Sequence, residues 1–352
     1  MSYRINGFQH IGVAVQDMDA SLRFYRKYFG LDIPFFDSVA AAPLMLSHTK
    51  NEVITKRASM ILNLHGGCAM EVIRATSFEP TGVKFDAAIG DLGIFITQVK
   101  CPDVAAAHSF CTQEPETNPT SIRKMPNGTP TFFVQDPDGN WFQYVEGGEW
   151  YITPKHISGG VSGCVIGVTD MERSLELYSG ILGFDKVELD QEGTFNEWEG
   201  LPGGSERYRR VILKQSAPPA GGFSKISATT YIELVQPLDR KPRMLFEDRI
   251  WADLGFVHLG LDVIGMKELG EALAQKGFGF RCDSNDALDM GNTKVHCTYI
   301  DDPDETWIEM IEVHKVPIIE KWGIYLNVAK KNPEKPLPDM MLKALRFSRI
   351  KD

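Results

Sequence analysis

The sequence predicts an α+β protein built from four β-α-β-β-β modules within 352 residues. Three observations carry this. The run VQDMDASLRFY from Val15 to Tyr25 returns as VTDMERSLELY from Val168 to Tyr178, a constant offset of 153. The run VQDPDGNWFQ from Val134 to Gln143 returns as IDDPDETWIE from Ile300 to Glu309, an offset of 166. Finally, Gly255 to Val313 reads as one complete unit: an alternating strand, a helix, then strands closed by an Asp-Pro-Asp turn.

In the last unit, Val257, Leu259 and Leu261 flank His258 with the alternation of a half-buried strand. Met266, Leu269 and Leu273 follow at helical spacing, with Gly277 as the expected stop. Lys294 to Ile300 and Trp307 to Val313 read as strands. Periodic repeats of this kind fix the organisation of the whole chain. Module one spans about 8–76, with a strand at His10, a helix from Asp19, and strands near Ser59 to Leu64 and Cys68 to Ala75. Leu22, Tyr25 and Phe29 share its helix face, as Leu175, Tyr178 and Leu182 do in module three, and glycine is expected to end both helices. Module two spans about 91–146 and has the weakest helix, Val104 to Cys111. Module three spans about 163–236 and carries the longest insert, Gly193 to Ser227, read as a lid or a plain surface loop. Module four spans about 255–313. Two domains result, 1–150 and 151–314, each of two modules. The tail 315–352 is expected to pack on the globule through Ile318, Ile319, Trp322, Tyr325, Leu326, Leu342, Leu345 and Phe347.

Composition narrows the function classes. A net charge of −10 argues against nucleic acid or an anionic membrane as partner. No apolar run approaches a membrane span, and the first residues enter a strand pattern at once, so a cytoplasmic protein is expected. The six cysteines show no CxxC pair and read as reduced thiols. No phosphate loop, dinucleotide fingerprint or Ser-His-Asp order is present. A small-molecule substrate is the expected partner, with oligomerisation left open.

The order His258-Leu-Gly-Leu, then Asp302-Pro-Asp-Glu-Thr-Trp-Ile-Glu309, resembles the vicinal oxygen chelate superfamily, which includes glyoxalase I, bleomycin-type resistance proteins and extradiol dioxygenases. Glu305 stands where that family usually has Gly. The resemblance implies modules that pair into two cupped, open-barrel mixed sheets with a metal in the cup. Across the four modules the first-strand ligand position reads His10, Gly93, Gly163 and His258, and the last-strand position reads Glu71, Gln143, Glu233 and Glu309. Pairing of consecutive modules leaves each cup with one His. Pairing of module one with module four gathers His10, Glu71, His258 and Glu309 in one cup, and some four-module glyoxalase I chains pair that way. Crossed pairing is therefore expected, with the other cup lined by Gly93, Gln143, Gly163 and Glu233 and without metal.

Two imidazoles and two carboxylates suit one divalent ion: Ni²⁺, Co²⁺, Mn²⁺ or Fe²⁺, with Zn²⁺ also possible. By the resemblance, Glu309 or Glu71 would be the catalytic proton carrier of a metal-dependent isomerase, epimerase or lyase working beside a carbonyl. An iron-dependent ring-cleaving dioxygenase using His10, His258 and one Glu is the alternative. Tyr299, in the run Tyr299-Ile-Asp-Asp302-Pro303, matches a catechol-binding position of those enzymes, although their upstream His is absent. A non-enzymatic binding or resistance protein is a third reading, at odds with one complete ligand set. His296 and Trp198 are further candidates for substrate contact.

Overall fold

The computed structural model describes residues 3–113, 115–285, 288–290, 293–319, 324–327 and 334–350. Module one contributes β1 (Arg4–Ala14), α1 (Met18–Phe29), β2 (Ile33–Ala41), β3 (Thr55–Leu62) and β4 (Ala69–Ala75). Module two contributes β5 (Gly93–Cys101), α2 (Val104–Thr112), β6 (Arg123–Lys124), β7 (Pro130–Gln135) and β8 (Trp141–Glu146). Module three contributes β9 (Val161–Gly167), α3 (Met171–Tyr178), β10 (Lys186–Gly193), β11 (Tyr208–Lys214), the one-turn α4 (Ser224–Ser227) and β12 (Tyr231–Pro237). Module four contributes β13 (Gly255–Ile264), α5 (Met266–Gln275), β14 (Cys282–Asp283), β15 (Leu288–Met290), β16 (Thr293–Asp301), β17 (Trp307–Ile319) and β18 (Ile324–Asn327).

The modules pair crosswise. One mixed sheet has the order β14-β16-β17-β13-β1-β4-β3-β2, with β15 and β18 added at β16 and β17. The other runs β10-β11-β12-β9-β5-β8-β7-β6. At the seam of the first sheet β1 and β13 run antiparallel, with Ile11 opposite Leu259 and Gly12 opposite His258. At the seam of the second, β5 and β9 do the same.

Alternation along each strand sends one set of side chains to the helices and the other into the cup. Ile11, Val13, Met70 and Val72 join Leu22, Tyr25 and Phe29 of α1 in a core that also takes in Phe142, Ile166, Leu234 and Met310. The concave faces hold smaller clusters of their own. Helix starts are set by aspartates: the side chains of Asp17, Asp103 and Asp170 accept from the N–H groups of Ala20, Ala106 and Arg173 respectively. Gly30, at φ 61°, ends α1. The expected glycine stop of module three is displaced: α3 ends at Tyr178, and Gly183 turns the chain five residues later.

Consecutive modules are tied at the helices although their sheets are crossed. Tyr25 of α1 donates to Asp136 Oδ2 in module two at 2.6 Å, and Tyr178 of α3 donates to Asp302 Oδ2 in module four at 2.8 Å. Both aspartates open Asp-Pro-Asp turns, so the two repeated motifs meet each other in space.

Three expectations need correction. The stretch 193–227 is not one lid: it contains β11, a strand of the second sheet, and only its last residues cover the first cup. Gly93 is not the first-strand position of module two. It opens β5 against Leu245; Gln98 is in register with Gln143 as Gly12 is with Glu71, so the position equivalent to His10 is Ile96, two residues earlier. The β5/β9 bulge at Phe95 moved the register out of reach of sequence spacing. Finally, residue 314 is no boundary, because β17 runs through it to Ile319. Of the apolar tail residues, Leu342 is buried against Ile33, Leu62 and Leu64, Leu345 packs at that cluster's edge, and Phe347 is 79% exposed. Trp322 lies outside the described residues.

Candidate metal centre

His10, Glu71, His258 and Glu309 meet on the concave face of the first sheet, all four buried. His10 is on β1, Glu71 on β4, His258 on β13 and Glu309 on β17, the four central strands of that sheet. The imidazole Nε2 atoms are 2.9 Å apart. His10 Nε2 lies 3.0 Å from Glu309 Oε2 and 3.7 Å from Glu71 Oε2; His258 Nε2 lies 3.3 Å from Glu71 Oε2 and 3.4 Å from Glu309 Oε2.

These spacings fit a metal. Ligand atoms on adjacent corners of an octahedron with bonds of about 2.1 Å sit about 3.0 Å apart, and opposite corners about 4.2 Å. The donor types point the same way: two carboxylates and two imidazoles are a ligand set that would hold a divalent cation.

Glycine makes the convergence possible. Each His is followed two residues later by Gly, and across the β1/β13 seam His10 faces Gly260 while His258 faces Gly12. A Cβ on Gly12 would lie 2.3 Å from Cε1 of His258, and one on Gly260 would lie 2.4 Å from Cε1 of His10. The imidazoles thus lie flat on the opposite strand, each in the space a side chain would fill.

The surroundings orient the ligands. The Nδ1–H of His10 can donate to Gln9 Oε1 at 3.2 Å, which leaves Nε2 as the free lone pair. Lys56 Nζ sits 3.2 Å from Glu71 Oε1 and 5.1 Å above the Trp251 ring. Burial alone would raise the Glu71 carboxyl, yet Lys56 and then the two imidazoles outweigh it and hold it well below the usual range. Glu309 is also held low against its own burial, by the imidazoles. Cys297 Sγ–H donates to Glu309 Oε1 at 3.1 Å, and burial pushes that thiol far up, so it stays a donor.

Of the expected substrate contacts, Tyr299 is in the cup. It faces Glu309 across β16/β17 and meets the His258 ring edge-on, with centroids 5.6 Å apart. His296 is not. Cys297 and Tyr299 point inward, so alternation sends His296 outward with Thr298, and its Nε2 is 2.7 Å from Asp283 Oδ1. Trp198 belongs to the second cup, over the Arg210 guanidinium at 4.5 Å. Lys56, Gln9 and Cys297 were not found by sequence reasoning. Of these only Cys297 left a signal, its two-residue spacing from Tyr299.

In the second cup Arg210 takes the place of a metal. Fully buried, it pairs with Glu197 and lies 2.8 Å from Glu233 Oε1. Gln98 bridges Gln143 and Glu233 and fills the space above Gly163. No other metal-type cluster of His, Cys, Asp or Glu occurs among the described residues.

Residues 7–144, the first two modules, match the family described as the Glyoxalase/Bleomycin resistance protein/Dioxygenase superfamily. Modules three and four repeat that stretch, and the superfamily fold of paired modules extends over the chain. Glyoxalase I from Zea mays is similar at 16% identity and a TM-score of 0.54, over 88% of this chain and 92% of that one. A putative dioxygenase from Bacillus subtilis is similar at 15% identity and a TM-score of 0.58, over 99% and 97%. Both likenesses concern the fold. No curated protein matches the chain. No helix among the described residues is long and apolar enough to cross a membrane.

Proposed function

We propose that the protein is a metal-dependent isomerase, epimerase or lyase of the glyoxalase type, with His10, Glu71, His258 and Glu309 as the ligands of one divalent ion. The observation that carries this reading is the mutual approach of all four donor atoms in one buried cluster. Bound there, a divalent ion would supply the positive charge that acidifies a C–H next to a substrate carbonyl.

The chain's own groups then divide the work. Glu71 is tethered by Lys56 and is the fixed anion. Glu309 is met by the neutral Cys297 thiol and Tyr299 hydroxyl where Glu71 has a lysine, so it is the carboxylate with freedom to take a proton and return it. Trp251, Met45 and Ile54 plug one end of the cup, which keeps water off the reacting face from that side. Gly12 and Gly260 let the imidazoles hold their places.

The test is solvent hydrogen exchange. Protein purified without chelator is incubated in D₂O with a panel of α-hydroxyketones and thiohemiacetals. Deuterium should enter at the carbon beside the carbonyl, without O₂ uptake, and Glu309→Gln should abolish exchange while retaining most of the metal. Stoichiometric O₂ consumption on a catechol would instead support the dioxygenase reading.

A further inference from the structure

The first cup is closed at one end and open at the other. Beyond the cluster, on the side away from Trp251, lies a cavity of about 370 Å³. Its walls are apolar, with Phe35, Met60, Leu62, Phe223, Ile226 and Leu337 among them. Gln9, whose Oε1 lies 3.2 Å from His10 Nδ1, lines it, and so does Met60, which pairs with Glu71 across β3/β4, so the cavity adjoins the candidate ligands.

Two β-bulges shape its floor. In the β1/β13 ladder Ile5 pairs with Val263 and Gly7 with Asp262; Phe8 pairs with Leu261 and His10 with Gly260. The residues skipped are Asn6 and Gln9, and both line the cavity. Bulges re-aim side chains in this way, and they concentrate beside functional sites. Asn6 is only 6% exposed, its Nδ2–H donates to Asp262 Oδ2 at 3.1 Å, and its Oδ1 has no partner. Asp262 also faces the cavity, four residues beyond His258 on the same side of β13, roughly 13 Å along the strand. Gly221 covers the pair: a Cβ there would lie 2.7 Å from Asp262 Oδ2 and 2.9 Å from Asn6 Nδ2.

The chemistry of this floor is one-sided. It offers an orphaned amide oxygen and a carboxyl whose donors are Asn6 and the Val263 N–H. The neighbouring Glu312 is already engaged by the Gly265 N–H and by His314. Burial pushes the Asp262 carboxyl up to about 7, with Glu312 adding to the rise. What such a place lacks is a hydrogen-bond donor, best a positively charged one.

We propose that Asn6 and Asp262 form an anchoring subsite for the amine end of an elongated substrate with an apolar body, whose oxygen-bearing end reaches the His–Glu cluster. The inference deepens the proposed function by naming the substrate class. It rests on that reading only for what happens at the far end of the molecule.

The probes are 4-phenylbutylamine, 4-phenylbutanol and 4-phenylbutyrate, titrated by calorimetry into the full-length protein as purified with its metal and again after chelator treatment. Because a charge-assisted hydrogen bond is stronger than a neutral one, the amine should bind about tenfold or more tightly than the alcohol, and the acid weakest. Asp262→Asn should erase the preference for amine over alcohol with metal content unchanged, and Gly221→Val should weaken both amine and alcohol. Should Asp262→Asn not fold, Asn6→Ala supplies the same comparison. Equal binding of amine and alcohol by the wild type, or a preference that survives both Asp262→Asn and Asn6→Ala, overturns the proposal. An amine preference that persists in chelator-treated protein stands even if the metal reading fails, so the two failures are distinguishable.

Discussion

His10 and Gly260, with His258 and Gly12, form two interlocked pairs in which the glycine has no conformational task and only makes room. Its φ is unremarkable; the space above it is what matters. Replacing Gly260 with Ala would drive a methyl group into His10 Cε1. We expect Gly260→Ala to lower metal content by about tenfold or more, as displaced ligand geometry does, with the far-ultraviolet circular dichroism unchanged. Glu305 shows the opposite case. It adopts φ 64° at the turn position where module two has Gly139 at φ 82°. A left-handed non-glycine residue costs about 1–2 kcal/mol, so Glu305→Gly should raise the urea midpoint by an amount worth about 1 kcal/mol. The four candidate ligands were legible because they recur at equivalent repeat positions. Lys56 was not: the β3/β4 register sets it opposite Ala75, and only its long side chain, reaching back along the sheet, meets Glu71.

Between elements, the helix tyrosines and the turn aspartates lock consecutive modules together. Burial pushes Asp136 up to about 6 and Asp302 up to about 7. An unfolded Asp titrates near about 3.9, so the folded protein binds more protons between the two values. The stability linked to Asp302 is therefore full below pH 4 and is lost as pH rises through about 7. At about 1.36 kcal/mol per pKa unit, Asp302→Asn should gain about 2 kcal/mol on the wild type between pH 5 and pH 8, read by urea denaturation at both values. Glu71 and Glu309 have the reverse sign and act only in acid, below the usual carboxylate range, which keeps the two windows apart.

At the scale of the molecule, duplication produced two cups that solved the same problem differently. One gathers two histidines and two glutamates; the other buries a guanidinium between Glu197 and Glu233. Elemental analysis of protein purified without chelator should find about one divalent ion per chain, and His258→Ala should release it. Arg210→Met strands two buried carboxylates and should destabilise the fold by about 3–5 kcal/mol. A metal content that rose towards two per chain in that variant would show that the guanidinium excludes an ion from the second cup, whereas two ions per chain in the wild type would overturn the one-metal assignment.

The sequence by itself determined the repeat, the module order, the strand positions of His10, Glu71, His258 and Glu309, and, through the ligand census, which modules had to face each other. Those features are periodic, and periodicity survives in one dimension. Only the tertiary structure decided the rest. The bulges at Asn6, Gln9 and Phe95 each shift a ladder by one residue, and a shift of one reverses which side chains enter a cup. Hence Gly93 was misassigned; His296 points outward because Cys297 and Tyr299 point in, and Trp198 lies in the other cup because it follows β10 of the second sheet. Arg210 and Lys56 were hidden for a related reason: a buried charge is identified by what it faces across a sheet, and that partner is set by register and curl, which leave no mark in the spacing of residues along the chain.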